Sequence, residues 1–162
     1  MTDCEILAAA QRLVELCAQK RVRISTAESC TGGMISAAVT AISGSSAVIE
    51  LGFCSYSNRV KQKMLGVSAE TLAKYTEYSV QCAEEMAGGA RLAADADYAV
   101  STTGVAGPNG GSKAHPVGEV CIGVSAPNAV RAERFVFSGG RDEIRRQAAL
   151  KALEMLIEQI EQ

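Results

Sequence analysis

The chain has 162 residues, 48% of them hydrophobic, and its acidic and basic residues are interspersed for a net charge of −2. This length supports one domain with a substantial core, so we expect a single domain over residues 1–162. The sequence has no run of basic residues, which argues against nucleic acid as a partner. It has no signal segment and no apolar stretch of about 18 residues, which argues against a membrane partner and predicts a cytoplasmic protein.

The first predicted elements place a polar loop between a strand and a helix. Apolar residues at helical spacing predict a helix over residues 3–19, for which Thr2 and Glu5 form a capping box. Alternating β-branched residues predict a strand over 21–26, and small residues predict a helix over 33–42. Ser29 therefore lies in a strand-loop-helix junction.

The rest of the chain alternates between strands and helices. Residues 48–57 and 97–103 read as strands, and Gly66, Ser68 and Ser79 mark helix ends. Helices are predicted over 58–65, 69–75, 80–94 and 141–161. Residues 104–116 are predicted to be a loop that is too glycine-rich to be packed, and strands 117–126 and 131–137 are predicted to form a hairpin. Strands mixed with helices and a late hairpin predict a layered α/β domain with a mixed sheet.

Six cysteines are widely spaced, at positions 4, 17, 30, 54, 82 and 121. No Cys-x-x-Cys pair occurs, so neither a zinc site nor a disulfide framework is predicted. We expect these cysteines to be small buried apolar residues, with Cys30 set apart because it follows Ser29. No carboxylate pair or His/Asp/Glu cluster has metal-ligand spacing, so we predict no metal and no cofactor.

Four polar motifs each stand where a hydrophobic run ends. They are residues 27–33 (AESCTGG), 56–61 (YSNRVK), 102–111 (TTGVAGPNGG) and 139–145 (GGRDEIR). Placed together, they would furnish one polar site. This pattern favours an enzyme over a structural domain, because a long polar loop beside several polar junctions otherwise has no explanation.

Ser29 is the candidate nucleophile. Ser29 stands just before a helix that begins with two glycines, so its hydroxyl could face a ligand. The amides of Thr31, Gly32 and Gly33 could stabilise negative charge as an oxyanion hole. The alternative is that Ser29 or Thr31 only caps the helix. Cys30 is a rival nucleophile, unless it is packed in the core.

Lys61 is the candidate base. The one histidine, His115, lies in the Gly/Pro loop with no obvious carboxylate to orient it. Lys61 falls in the first turn of a predicted helix, where the helix dipole, Arg59 and any burial lower a lysine pKa, and a neutral lysine can accept a serine proton. Tyr56 could relay that proton. The alternative is a surface lysine and a half-buried strand tyrosine.

Two further motifs suit an anionic ligand. Thr103 and Gly104 open a loop whose amides and hydroxyl at a strand end could line a site for phosphate or ribose, although its glycine spacing matches neither a Walker nor a Rossmann fingerprint. Arg141 and Arg145 open the last helix and could bind an anion, or could be solvated end residues.

The order and spelling of these motifs resemble the CinA C-terminal domain family, the nicotinamide mononucleotide deamidases. The similarity is carried by residues 27–33, 52–58 with Lys61 and 65–67, 103–111 with 116–118, and 141–145. It implies a three-layer α/β/α domain, commonly a homodimer. It also implies a metal-independent amidohydrolase that converts nicotinamide mononucleotide, a small nucleotide substrate, to nicotinate mononucleotide and ammonia.

By that resemblance Ser29 is the nucleophile, Lys61 its general base and Tyr56 an assisting residue, while Thr103 and Arg141 contact substrate. Several positions depart from the family pattern. This chain has TEYS at residues 76–79 where the family often has Gly-Ala-Val-Ser, and GGR at residues 139–141 where it has Gly-Asp-Arg. It has HPVG at residues 115–118 where the family has Lys-Pro-Val-Gly, and Glu119 replaces a small hydroxyl residue. These departures leave open a catalytically weak or silent paralogue that binds nucleotide.

Overall fold

The computed structural model describes residues 3–162. They form a five-stranded sheet with helices on both faces. The strands are β1 (Ile24–Glu28), β2 (Ile49–Cys54), β3 (Tyr98–Gly104), β4 (Glu119–Ala126) and β5 (Ala129–Val136). The helices are α1 (Asp3–Lys20), α2 (Met34–Thr40), α3 (Asn58–Leu65), α4 (Ala69–Tyr75), α5 (Val80–Ala93) and α6 (Arg141–Glu161).

The sheet is mixed, with the strand order β2-β1-β3-β4-β5. β1 pairs parallel with β2 and β3, whereas β4 pairs antiparallel with β3 and β5. Because the carboxyl ends of parallel strands meet at one edge, the segments that follow β1, β2 and β3 meet there, and ligands of α/β sheets bind at such edges. The predicted α/β fold with a mixed sheet is confirmed.

Alternating side chains of the strands bury both faces of the sheet. On one face Ile24, Val100 and Ile122 pack with α1, α2 and α6. On the other, Ala27 and Ala99 pack with residues of α3 and α5. Burying each large aliphatic side chain contributes roughly 1.5–3 kcal/mol, so the two cores fix the layers on which the site is built.

Small residues let α5 approach its neighbours closely. A Cβ on Gly89 would overlap the carbonyl oxygen of Leu65 in α3, and a Cβ on Gly123 in β4 would meet the carbonyl of Ala83 at 2.4 Å. The alanine- and glycine-rich composition of α5 thus allows close packing that fixes α3, the helix that carries Lys61, against the sheet.

The predicted elements are confirmed to within a few residues, including Gly66, Ser68 and Ser79 as helix ends. β1 begins later than predicted because Arg21 and Val22 close the end of α1, their amides donating to Ala18 and Cys17. The capping box of Thr2 and Glu5 lies outside the described residues. Among residues 3–162 no helix is long and apolar enough to span a membrane.

Two predictions about burial were wrong. Cys4 and Cys54 are exposed, unlike the other four cysteines. The loop after β3 was predicted to be unpacked, yet Val105 and Ala106 at its start are buried. Val105 exchanges backbone hydrogen bonds with the segment at Gly118 and Glu119, which draws the start of the loop into the sheet.

Candidate active site

A cavity of about 190 Å³ opens at the edge of the sheet where β1, β2 and β3 end. Its polar wall combines hydroxyl, amide and charged groups from all four predicted motifs and from the segment before α5. These groups belong to Ser29, Tyr56, Asn58, Lys61, Glu77, Tyr78, Asn109 and Arg141. The sheet therefore brings five of the predicted site residues to one cavity, namely Ser29, Tyr56, Lys61, Gly104 and Arg141.

Ser29 is held in a tight turn directly after β1. Its backbone N–H donates to the Thr102 carbonyl at 3.0 Å, and its own carbonyl accepts from Gly32 N at 3.1 Å. The residue is 8% exposed, and its hydroxyl forms no hydrogen bond with residues 3–162. The turn thus fixes the backbone and leaves the hydroxyl available to a ligand.

The carboxylate of Glu28 caps helix α2. Fully buried, it accepts hydrogen bonds from Gly33 N (3.0 Å), Ile35 N (3.0 Å), Ser36 N (2.8 Å) and the hydroxyls of Thr31 (2.7 Å) and Ser36 (2.8 Å). A carboxylate is well suited to the free amides and positive dipole at a helix start. Neither the Ser29 nor the Thr31 hydroxyl caps α2, contrary to the alternative interpretation.

Replacing Glu28 with glutamine should destabilise the protein by about 2–3 kcal/mol, because the new amide places donors against the N–H groups that the carboxylate satisfied. Any chemistry that depends on Ser29 should weaken with it, since the Ser29 turn adjoins the same cap. Urea unfolding measures the first effect. The control is Glu143→Gln, whose exposed side chain accepts from Gly140 N at the start of α6. An equal cost for both variants would contradict this account.

Lys61 is almost completely buried although it carries an ionisable amine. It lies in the first turn of α3, which is capped by Ser57, and the residue is 2% exposed. Its ammonium forms neither a hydrogen bond nor an ion pair with residues 3–162. Burial lowers the pKa of Lys61 below its ordinary value of 10.5, with partial opposition from Cys82, Glu77 and Cys30. The arrangement increases the neutral fraction that can accept a proton.

Tyr56 and Arg141 form a polar rim. The Arg141 guanidinium donates to the Tyr56 hydroxyl at 2.9 Å and to the Gly107 carbonyl at 2.6 Å. These contacts join the loop after β2, the loop after β3 and the start of α6. The tyrosine is 61% exposed, so this rim faces an incoming ligand and presents a fixed positive charge to it.

Cys30 is a poor nucleophile. It is 5% exposed and packs in the core, and burial raises the pKa of its thiol to about 11. The thiol is therefore protonated at neutral pH, whereas the thiolate is the reactive form.

Five predicted site residues do not line the cavity, and contacts from several of them hold the segments that do. Gly33 donates its amide to Glu28, and Thr103 donates its hydroxyl to the Glu77 carbonyl at 2.6 Å. Arg145 donates to the carbonyls of Cys30 (3.0 Å) and Thr31 (2.9 Å). The residues placed behind the cavity are Thr31, Gly32, Gly33, Thr103 and Arg145. These contacts order the Ser29 turn and the segment that carries Glu77.

The expectation that His115 lacks an orienting carboxylate was wrong. Its Nδ1 lies 2.9 Å from Oε1 of Glu119, a fully buried residue that also pairs with Arg134. The turn at Gly118 brings the first residue of β4 beside the loop, a contact that sequence spacing does not reveal. This cluster lines a neighbouring cavity that shares Tyr78 with the candidate site.

Sequence reasoning gave no role to Glu28, Glu77, Tyr78 or Asn109. A signal existed for Glu28, because an acidic residue just before a Gly-Gly helix start is typical of a cap. Glu77 and Tyr78 stand out in the sequence only as departures from the family pattern. Among residues 3–162 no group of three or more His, Cys, Asp or Glu side chains could hold a metal ion.

Comparison with known proteins gives consistent matches. The family model described as the CinA C-terminal domain matches residues 7–160. The nicotinamide-nucleotide amidohydrolase PncC of Escherichia coli K12 is 45% identical over 98% of this chain and 97% of its own length. A CinA-like protein of Anaeromyxobacter sp. strain K is 44% identical over 83% of this chain but only 33% of its own. The crystal structure of the competence/damage inducible protein CihA from Agrobacterium tumefaciens has a TM-score of 0.94 and 44% identity, covering 98% of this chain and 96% of that one.

Proposed function

The chain belongs to the CinA C-terminal domain family, and we propose that it hydrolyses the carboxamide of nicotinamide mononucleotide to give nicotinate mononucleotide and ammonia. Nicotinamide-nucleotide amide hydrolysis is the activity named for the E. coli relative that matches nearly the whole chain. We further propose that Ser29 is the nucleophile and Lys61 the base, without a metal ion.

One observation carries the mechanism: the buried, unpaired amine of Lys61 shares a cavity with the free hydroxyl of Ser29. An unpaired buried lysine lowers protein stability, so its presence in the same cavity as a serine hydroxyl supports a chemical role. In its neutral form Lys61 accepts the Ser29 proton as Oγ attacks the carboxamide carbon.

The tetrahedral intermediate then collapses to an acyl-enzyme. Lys61 returns the proton to the departing nitrogen and ammonia leaves. A water molecule, deprotonated by Lys61, then hydrolyses the ester on Ser29, and Lys61 passes that proton to the departing Ser29 Oγ. The backbone N–H of Cys30 donates to no oxygen of residues 3–162, and we assign it to the developing oxyanion. The Gly33 amide, predicted for that task, is already bonded to Glu28.

The rim supports the proposed substrate. A cavity of about 190 Å³ is small for a whole nucleotide but suits a carboxamide ring. Arg141, held by Tyr56 and Gly107, would meet the phosphate that extends from the ring. Tyr56 could also pass a proton between Ser29 and solvent.

The test is ammonia release from nicotinamide mononucleotide by purified protein, with a chelator in one arm and added divalent cations in the other. We expect equal release in both arms, with nicotinate mononucleotide formed in equal amount. Loss of activity with chelator would contradict metal independence. Thermal stabilisation by the nucleotide without ammonia release would contradict hydrolysis and identify a binding module.

A further inference from the structure

Glu77 introduces a negative charge into the candidate active site. It is the one acid among the cavity-lining residues of the described chain, and it is half-buried. It forms no ion pair with residues 3–162. The cavity therefore holds an acid that the catalytic scheme does not use, facing a site in which Arg141 suits an anionic nucleotide.

The segment that carries Glu77 is firmly held. The Thr103 hydroxyl donates to the Glu77 carbonyl at 2.6 Å, tying the segment to the end of β3. Ser79 caps α5 by accepting from Cys82 N at 3.1 Å and donates to the Thr76 carbonyl at 2.8 Å. The Tyr78 ring packs against the His115 ring, with centroids 5.5 Å apart. These contacts fix the backbone from which the carboxylate projects.

An acid at this position weakens binding of an anionic ligand unless it meets a positive charge on the same ligand. The proposed substrate supplies one, because a pyridine ring joined to ribose through nitrogen is a cation. If the ring enters the cavity and the phosphate stays at the Arg141 rim, the cationic ring would face Glu77 and the phosphate would face Arg141. At separations of about 5 Å such charges attract appreciably even at an effective dielectric constant of about 20.

We propose that Glu77 is a specificity-determining residue whose carboxylate faces the cationic ring and selects N-substituted pyridinium carboxamides over neutral carboxamides. This inference rests on the proposed function and names the substrate class for the same site. Glu77 contributes no step to bond breaking. It acts on binding, through the charge of the ring.

Equilibrium binding tests this selection without relying on turnover. The probes are nicotinamide mononucleotide and its reduced form, which share ribose and phosphate but differ in ring charge, titrated calorimetrically into the Ser29→Ala protein. Binding is preferred to rates because Glu77 also favours the protonated form of Lys61 and raises its pKa. We expect tighter binding of the cationic probe, and in Ser29→Ala/Glu77→Gln a weakening for that probe alone of about tenfold or more.

Two further variants sharpen the comparison. Ser29→Ala/Glu70→Gln removes an exposed acid on α4, outside the cavity, and should leave the ratio of the two affinities unchanged. Ser29→Ala/Glu77→Asp keeps the charge and should retain most of the preference. An unchanged ratio in the Glu77→Gln variant, equal weakening for both probes, or no binding of either probe overturns the inference.

Failure of this inference is distinct from failure of the proposed function. Ammonia release by the wild-type protein with an unmoved affinity ratio would refute only the role of Glu77. Charge-selective binding without ammonia release would refute only hydrolysis.

Discussion

Replacing Ser29 with alanine is expected to reduce ammonia release by at least about a thousandfold while leaving the free energy of unfolding unchanged within about 0.5 kcal/mol. The hydroxyl makes no hydrogen bond within residues 3–162, and α2 is capped by Glu28 and not by Ser29. Its loss therefore leaves no buried group unsatisfied. The measurements are ammonia release and urea unfolding of the same samples.

Ser55→Ala is the matched control. Ser55 follows β2 at the same edge of the sheet and is fully buried. Its hydroxyl has no hydrogen-bond partner within residues 3–162, and it does not line the cavity. Removing an unpaired buried hydroxyl should preserve activity and leave stability equal or slightly higher. Equal activity loss in both variants would attribute the Ser29 effect to the sheet edge and not to a nucleophile.

Local sequence patterns were sufficient for most of the fold. Helices α3, α4 and α5 begin at serine residues whose side chains accept backbone N–H groups, which is a short-range signal. β3 and β4 are buried on both faces, which is typical of central strands. Their pairing partners are not encoded locally, so the order β2-β1-β3-β4-β5 required the folded structure.

The candidate site was predicted only where residues stand next to a strand or helix end. Ser29, Lys61 and Arg141 fit that rule. His115 and Glu119 meet across a turn, and Glu77 reaches the cavity because Thr103 ties its segment to β3. Such contacts depend on tertiary packing, and single-sequence patterns are blind to them. The residue types in the motifs also do not distinguish Gly104, which lines the cavity, from Thr31 and Gly33, which instead hydrogen-bond to Glu28.

Lys61→Met should abolish hydrolysis yet stabilise the protein by about 1–2 kcal/mol at pH 7. Burial lowers the pKa of Lys61 in the folded protein below 10.5, so folding at neutral pH requires an unpaired ammonium to lose much of its hydration or its proton. Methionine has a similar length and carries no charge. A polar surface lysine would show no such gain, and neither would a lysine that pairs with an acid.

The pH dependence of this gain has a defined sign. The unfolded chain binds more protons than the folded one between the lowered pKa and 10.5, so wild-type stability contributed by Lys61 rises with pH across that window. The advantage of Lys61→Met in urea unfolding should therefore shrink as the pH approaches 10. Wild-type hydrolysis should fall as the pH drops through the same lowered pKa, because only neutral Lys61 accepts the Ser29 proton. A variant that is less stable than wild type at pH 7, or a pH-independent difference, would show that Lys61 is a packed structural residue and not a base held ready in its neutral form.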